Sequence, residues 1–318
     1  MPRGIICDRG FKILGTPLAF KNAKNPGLLF YADLDMTIPR GTKRVIGTAL
    51  VMNALNAKHR NIDAIAVGYD RMFKLGNMEL KLLPSGMGPG TALLEIKFKN
   101  KSILYTAGLR SAKSLSGEQV QPVHSDILLV DYAVSEHKSP APKTAKAELL
   151  KWIHSHRAAE SGIAPALMCG NRTSVFEALA AVADLDEPVI AHRSVYNLLR
   201  DTGVPFLAKH AISRMERKWP IRGIVLLMHS TFAGGRYRTD HQIPRCFCGP
   251  HSLAPPDAMH IPFGEREHVR GLIKFAKQCN VHTVAISSIA NEHTAAAFRK
   301  AGFDVFYSKI PEQLTLPL

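Results

Sequence analysis

The sequence predicts an α/β protein in which one domain is interrupted by another. Three observations carry this. Apolar and polar residues alternate with period two in the first third, helix and strand patterns alternate from about Pro140, and a closing αβ unit follows Pro255-Pro256.

In the first third, Met78, Leu80 and Leu82 alternate with Glu79 and Lys81, and Leu94, Ile96 and Phe98 alternate with Glu95, Lys97 and Lys99. These patterns predict half-buried antiparallel strands joined through residues 86–90. Further strands are expected at 102–106 and 126–130, with an early helix capped by Thr48 that turns Leu50, Val51, Ala54 and Leu55 to one side. The middle third predicts helix 144–157, strand 163–169, helix 172–183, strand 188–192, helix 194–202 and strand 223–228, then a polar loop over 232–238. The last segment predicts helix 265–278, strand 281–286, helix 292–301 and strand 304–307. The expected domains are therefore 1–138 with 257–318, and an insertion over 139–256.

At 318 residues and 46% hydrophobic, the chain can bury two cores. Forty-one Lys and Arg against 26 Asp and Glu leave a net charge of +15. Such a field attracts polyanions, nucleic acid first among them. Five cysteines without framework spacing predict free thiols in a reducing compartment. With no stretch near the ~20 apolar residues of a membrane span and no signal-peptide pattern, a soluble cytoplasmic protein without a membrane partner is expected.

Three segments have the frame of metal-binding motifs but other side chains. They are Tyr31-Ala32-Asp33-Leu34-Asp35-Met36, residues 83–90 (Leu-Pro-Ser-Gly-Met-Gly-Pro-Gly) and Tyr105-Thr106-Ala107-Gly108. They resemble the H-x-H-x-D-H, P-A-G-H-x-x-G-S and Y-T-G-D segments of the metallo-β-lactamase fold, in the branch with an inserted β-CASP domain that processes DNA or RNA. Asp131 after 126–130 is similar to the family's acidic strand end, and Ile190-Ala191-His192 to a β-CASP strand ending in histidine. Residues 264–269, with Arg266 at a histidine position, and Ile286-Ser287-Ser288, with Ser288 at the last histidine, resemble two later motifs. The likeness runs along nearly the whole chain, nearest to small exonucleases associated with DNA ligases and to messenger-RNA 3′-end-processing-like proteins.

The resemblance implies a metallo-β-lactamase αββα sandwich with an inserted β-CASP α/β domain. It also implies that Tyr31, Asp33, Met36, Met87, Gly108, Arg266 and Ser288 stand where ligands would be, leaving Asp35 and Asp131 as matching acids. A two-metal hydrolase needs imidazoles and carboxylates converging on its cations. Seven replacements predict a pseudo-enzyme without cofactor. The enzymatic alternative is a metal-dependent nuclease or phosphodiesterase using Asp33, Asp35 and Asp131 around Mg²⁺.

Other constellations carry less. Cys246-Phe247-Cys248 with His251 and His260 invites zinc, but the C-x-C spacing suits two buried strand thiols better. The 86–90 loop precedes a strand, whereas a phosphate loop opens a helix. His154, His156, His192, His229 and His251 have no catalytic context. Nucleic-acid contacts are expected from Arg40, Lys43 and Arg44, from Arg214, Arg217 and Lys218 beside Trp219, and from Arg236, Tyr237 and Arg238. The expected function is a catalytically inactive nuclease homologue holding DNA or RNA in a basic interdomain groove, as a subunit of a nucleoprotein complex. A protein-binding scaffold is a further alternative.

Overall fold

The computed structural model describes residues 4–7, 10–21, 26–59, 61–157, 163–204, 212–216, 219–220, 222–233, 243–256, 258–287, 289–307 and 314–317. The chain divides into two compact units. One comprises Met1–Lys113, Glu118–Lys138 and Arg266–Leu318, and the other Ser114–Gly117 and Ser139–Glu265.

The first unit opens with β1 (Gly4–Cys7), β2 (Phe11–Ile13), β3 (Leu18–Ala19), β4 (Leu28–Phe30), β5 (Arg44–Gly47), α1 (Ala49–Asn56) and β6 (Asp63–Ala66). It continues with β7 (Met72–Leu75), β8 (Met78–Pro84), β9 (Ala92–Phe98), β10 (Lys101–Thr106) and β11 (Ile127–Val130). In the second unit follow α2 (Pro142–Arg157), β12 (Ala166–Cys169), α3 (Arg172–Val182), β13 (Val189–Ala191), α4 (Arg193–Thr202), β14 (Ile212–Arg214), β15 (Ile224–Met228), α5 (His229–Ala233), β16 (Arg245–Cys248) and β17 (Met259–Ile261). The chain returns to the first unit with α6 (Val269–Gln278), β18 (Thr283–Ile286), α7 (Glu292–Lys300), β19 (Asp304–Tyr307) and β20 (Leu314–Pro317).

Among the described residues the first unit holds two seven-stranded sheets, β20-β1-β2-β3-β4-β5-β6 and β19-β18-β11-β10-β9-β8-β7. Their facing sides share one core: Phe11, Leu18, Phe20 and Phe30 from the first sheet meet Leu80, Leu94, Ile103, Tyr105 and Leu129 from the second. The other side of the second sheet, with Leu104, Leu128, Val130 and Val284, packs on α6 and α7 through Leu272, Phe275 and Phe298. The period-two pattern works as the pleat requires, with Met78, Leu80 and Leu82 buried. Glu95 breaks it: it is buried, with Lys81 and Lys97 at 4.0 and 3.8 Å.

At the head of α1, Thr48 does not cap with its side chain. Its hydroxyl donates instead to Gly90 O at 2.7 Å and ties the helix to the 85–91 loop. Helix α6 starts at Val269 and not at 265, because Glu265 accepts from His251 N and Glu267 N donates to Leu109 O. His268 caps the helix, its Nδ1 accepting from Arg270 N.

In the second unit every strand pair of the sheet β14-β13-β15-β12-β16-β17 is parallel. The unit reaches to Glu265, beyond the expected boundary at 256, because β17 pairs with β16 and so extends this sheet. It also takes in 114–117, which the sequence reading placed in the first domain. Glu177 on α3, wholly buried, accepts from Leu115 N at 3.1 Å, Ser116 N at 3.0 Å and the Ser116 hydroxyl, so one carboxylate fixes the segment.

Glu177→Ala strands these half-buried donors, at a cost of about 1–3 kcal/mol. We expect a lower urea midpoint and faster proteolysis within 111–117; unchanged values for both would contradict the role given to this carboxylate.

Candidate functional site

Of the positions singled out by motif resemblance, the described ones of the first unit gather at one end of it. Strands β10, β11 and β18 are parallel, so their C-terminal ends deliver Thr106, Asp131 and Ser287 to the same edge. Asp131 N donates to Thr106 O, and Ser287 N to Val130 O. Three further loops join by backbone hydrogen bonds: Ala92 N to Ala32 O, Arg110 N to Ser85 O, and Glu267 N to Leu109 O. The edge is thus built from segments far apart in sequence, all tied through the main chain.

The side chains at this edge fill it. Tyr31 OH donates to the main-chain Met36 O at 2.6 Å, and both residues are buried. Asp33 Oδ1 accepts from Asp35 N at 2.8 Å, a local turn that engages one of its oxygens. A Cβ on Gly108 would lie 3.4 Å from Arg266 Nε and 3.7 Å from Met87 Cγ. Arg266 and Met87 therefore line the place of a side chain at 108 at ordinary van der Waals distance. The guanidinium carbon of Arg266 stands 5.5 Å from the Tyr132 ring centroid, a cation–π contact.

Asp131 is the buried charge of the site. Tyr105 OH donates to its Oδ2 at 3.0 Å, from a ring stacked on Phe20 at 4.1 Å and met edge-on by Phe11 and Phe30. The aromatic core thereby fixes where the phenol points. Burial raises the Asp131 carboxyl from 3.8 to about 6, against opposing effects of Ser287, Tyr105, Lys21 and Arg266. Ser287 Oγ faces it loosely: neither this atom nor Asp131 Oδ1 has a hydrogen-bond partner of regular geometry among the described residues. Tyr105 and Tyr132 are pushed far above the ordinary phenol range, first by burial, and stay neutral.

Among the described residues no three His, Cys, Asp or Glu side chains form a group able to hold a metal ion. Asp33, Asp35 and Asp131, the set expected for relocated Mg²⁺ binding, do not make one. Nor does the cysteine strand: Cys246 and Cys248 are fully buried beside Cys169, and burial and neighbouring thiols push Cys169 and Cys248 well above the ordinary thiol range. His260 Nε2 lies 2.8 Å from Gly249 O. The 86–90 loop spends its amides internally, Gly88 N on Thr91 Oγ1 at 3.1 Å and Met87 N on Ser85 Oγ at 3.4 Å, leaving no phosphate cradle of those two groups.

The expected nucleic-acid residues separate. Arg40 and Lys43 are exposed in the turn before β5, while Arg44, also exposed, pairs with Asp63 at 3.0 Å. Arg214 is exposed at the end of β14, where it and burial lower the pKa of His192, the residue capping α4. Trp219 is not an open stacking ring, since its indole N–H donates to Ala164 O at 2.9 Å and it packs on the second unit's core. Arg217, Lys218, Arg236, Tyr237, Arg238 and the degenerate position Ser288 lie outside the described residues. Sequence reading missed Lys21 and Ser287 as neighbours of Asp131. Ser287 stood next to a motif position, but nothing in the local sequence marks Lys21.

No family model matches the chain, and no curated protein matches it. Among solved structures, a protein of unknown function from Enterococcus faecalis V583 is similar, with a TM-score of 0.62 over 91% of this chain and 81% of that one, at 10% identity. The likeness is one of fold, in the α/β class.

Folded Asp131 keeps its proton to about pH 6, whereas the unfolded carboxyl ionises near 3.8. The folded state thus binds more protons between these values, so this group's stabilisation is greatest on the acid side and declines as pH rises towards 6, by up to about 3 kcal/mol. Melting curves of Asp131→Asn and wild type should shift in the variant's favour between pH 4.5 and pH 7; a pH-independent difference would contradict the buried, proton-holding carboxyl.

Proposed function

We propose that this chain is a metallo-β-lactamase-type domain carrying a β-CASP-type insertion, that its hydrolytic centre has been filled in, and that it binds DNA or RNA without cutting it. Two facing sheets with helices on the outside, interrupted by an all-parallel α/β unit, support the fold part of this reading. The observation that supports the functional part is what stands at the positions the resemblance gives to ligands: a tyrosine donating to the main chain of Met36, and Arg266 with Met87 lining Gly108, with no group of three His, Cys, Asp or Glu able to hold a metal among the described residues.

Losing the cations from such a centre removes the electrophile and the activated water together. What persists is a protein with a net charge of +15, including exposed Arg40, Lys43 and Arg214, that attracts phosphate backbones. Shape and charge suffice for binding, and a subunit of a nucleoprotein complex uses both.

A labelled single-stranded oligonucleotide titrated in the presence of EDTA tests the reading. Retention should occur at low salt and fall steeply with ionic strength, with a slope of about −0.7 per neutralised phosphate on a log–log plot. Absence of retention at low salt, or metal-dependent cleavage of the oligonucleotide, would overturn it.

A further inference from the structure

Arg266 is a half-buried cation whose donors are not consumed among the described residues. A guanidinium offers five N–H groups in a planar fork. Among the described residues none of them donates a hydrogen bond, and Arg266 enters no ion pair. Its neighbours are the Tyr132 ring on one side and Gly108 with Met87 at its aliphatic stem. Asp131 feels its charge but is not paired to it. Glu267, next in sequence, directs one carboxylate oxygen at Ser111 N at 2.7 Å.

The surroundings place the fork while leaving its donors open. Glu267 N is fixed on Leu109 O, which anchors the backbone beside Arg266, and the aromatic face of Tyr132 restricts the head group. Lys21 adds a second positive charge within electrostatic reach of Asp131. A half-buried guanidinium with unspent donors matches a tetrahedral oxyanion better than an ammonium would, because two parallel N–H groups of its planar fork meet two oxygens at once.

We propose that Arg266 is an oxyanion-binding residue, its guanidinium receiving a phosphoryl group where the strands of the first unit's second sheet end. This rests on the nucleic-acid reading for its natural source, a phosphodiester of the bound strand, while the recognised chemistry is shared with free phosphate.

The test compares wild type, Arg266→Met and Arg266→Lys for oligonucleotide affinity and for thermal stabilisation by inorganic phosphate. Expected are a loss of about three- to tenfold in oligonucleotide affinity for Arg266→Met, a salt slope reduced by about one contact, and only partial recovery in Arg266→Lys, which keeps the charge and loses the fork. Wild-type affinity and slope in Arg266→Met would overturn the assignment and leave the wider function standing. If wild type ignores oligonucleotide, the nucleic-acid reading fails; phosphate that then stabilises wild type but not Arg266→Met still supports the oxyanion site, and phosphate without effect overturns it. Should Arg266→Met not fold, full oligonucleotide affinity and salt slope in Arg266→Lys overturn it equally.

Discussion

The structure at the strand ends of the first unit depends on how Arg266 is seated: its stem and Met87 line the place of a side chain at Gly108 at van der Waals distance, and its guanidinium carbon stands 5.5 Å from the Tyr132 ring centroid. The cation that this edge contains is therefore covalently attached to the chain, with its charge fixed and its geometry planar. A guanidinium can hold an oxyanion, but it cannot ionise a water as a divalent metal does.

The fixed cation also bears on why a buried carboxylate persists. Asp131 has no exposed surface, and burial pushes its carboxyl above the ordinary range. Tyr105 donates to it from a ring clamped by three phenylalanines, and Lys21 and Arg266 lower the cost of its charge from a distance. The core between the two sheets and the polar edge are in this way one construction, because packing of Phe20 on Tyr105 sets the position of the phenol that reaches Asp131. The long-range main-chain bonds from Ala92 to Ala32 and from Glu267 to Leu109 keep the contributing loops in register with it.

How much of this was legible in the sequence varied with the range of the interaction. Alternation at 78–82 and 94–98, and the helical pattern of 292–300, reflect contacts within one element, and they map onto β8, β9 and α7. Boundaries that depend on partners did not show: residues 265–268 look helical until Leu109 and His251 engage Glu267 and Glu265. Thr48 reads as a cap, yet a carbonyl forty-two residues away takes its hydroxyl. Motif spacing picked out Tyr31, Met36, Met87, Gly108 and Arg266 as a set. That Arg266 and Met87 would lie beside Gly108, and that Lys21 would stand near Asp131, depends on tertiary placement that no local pattern encodes. The aromatic of the Arg214 to Trp219 cluster was misread for the same reason, since the ring serves a core whose strands lie elsewhere in the chain.

The central claim is that side chains of the protein itself occupy the place where cations would act. Anomalous scattering from crystals soaked in Mn²⁺ measures this directly. The account predicts no anomalous peak among Tyr31, Met87, Gly108, Asp131 and Arg266, with Arg266 still seated against Gly108. A pair of ions there, bridged by Asp131 with Arg266 displaced, would contradict it.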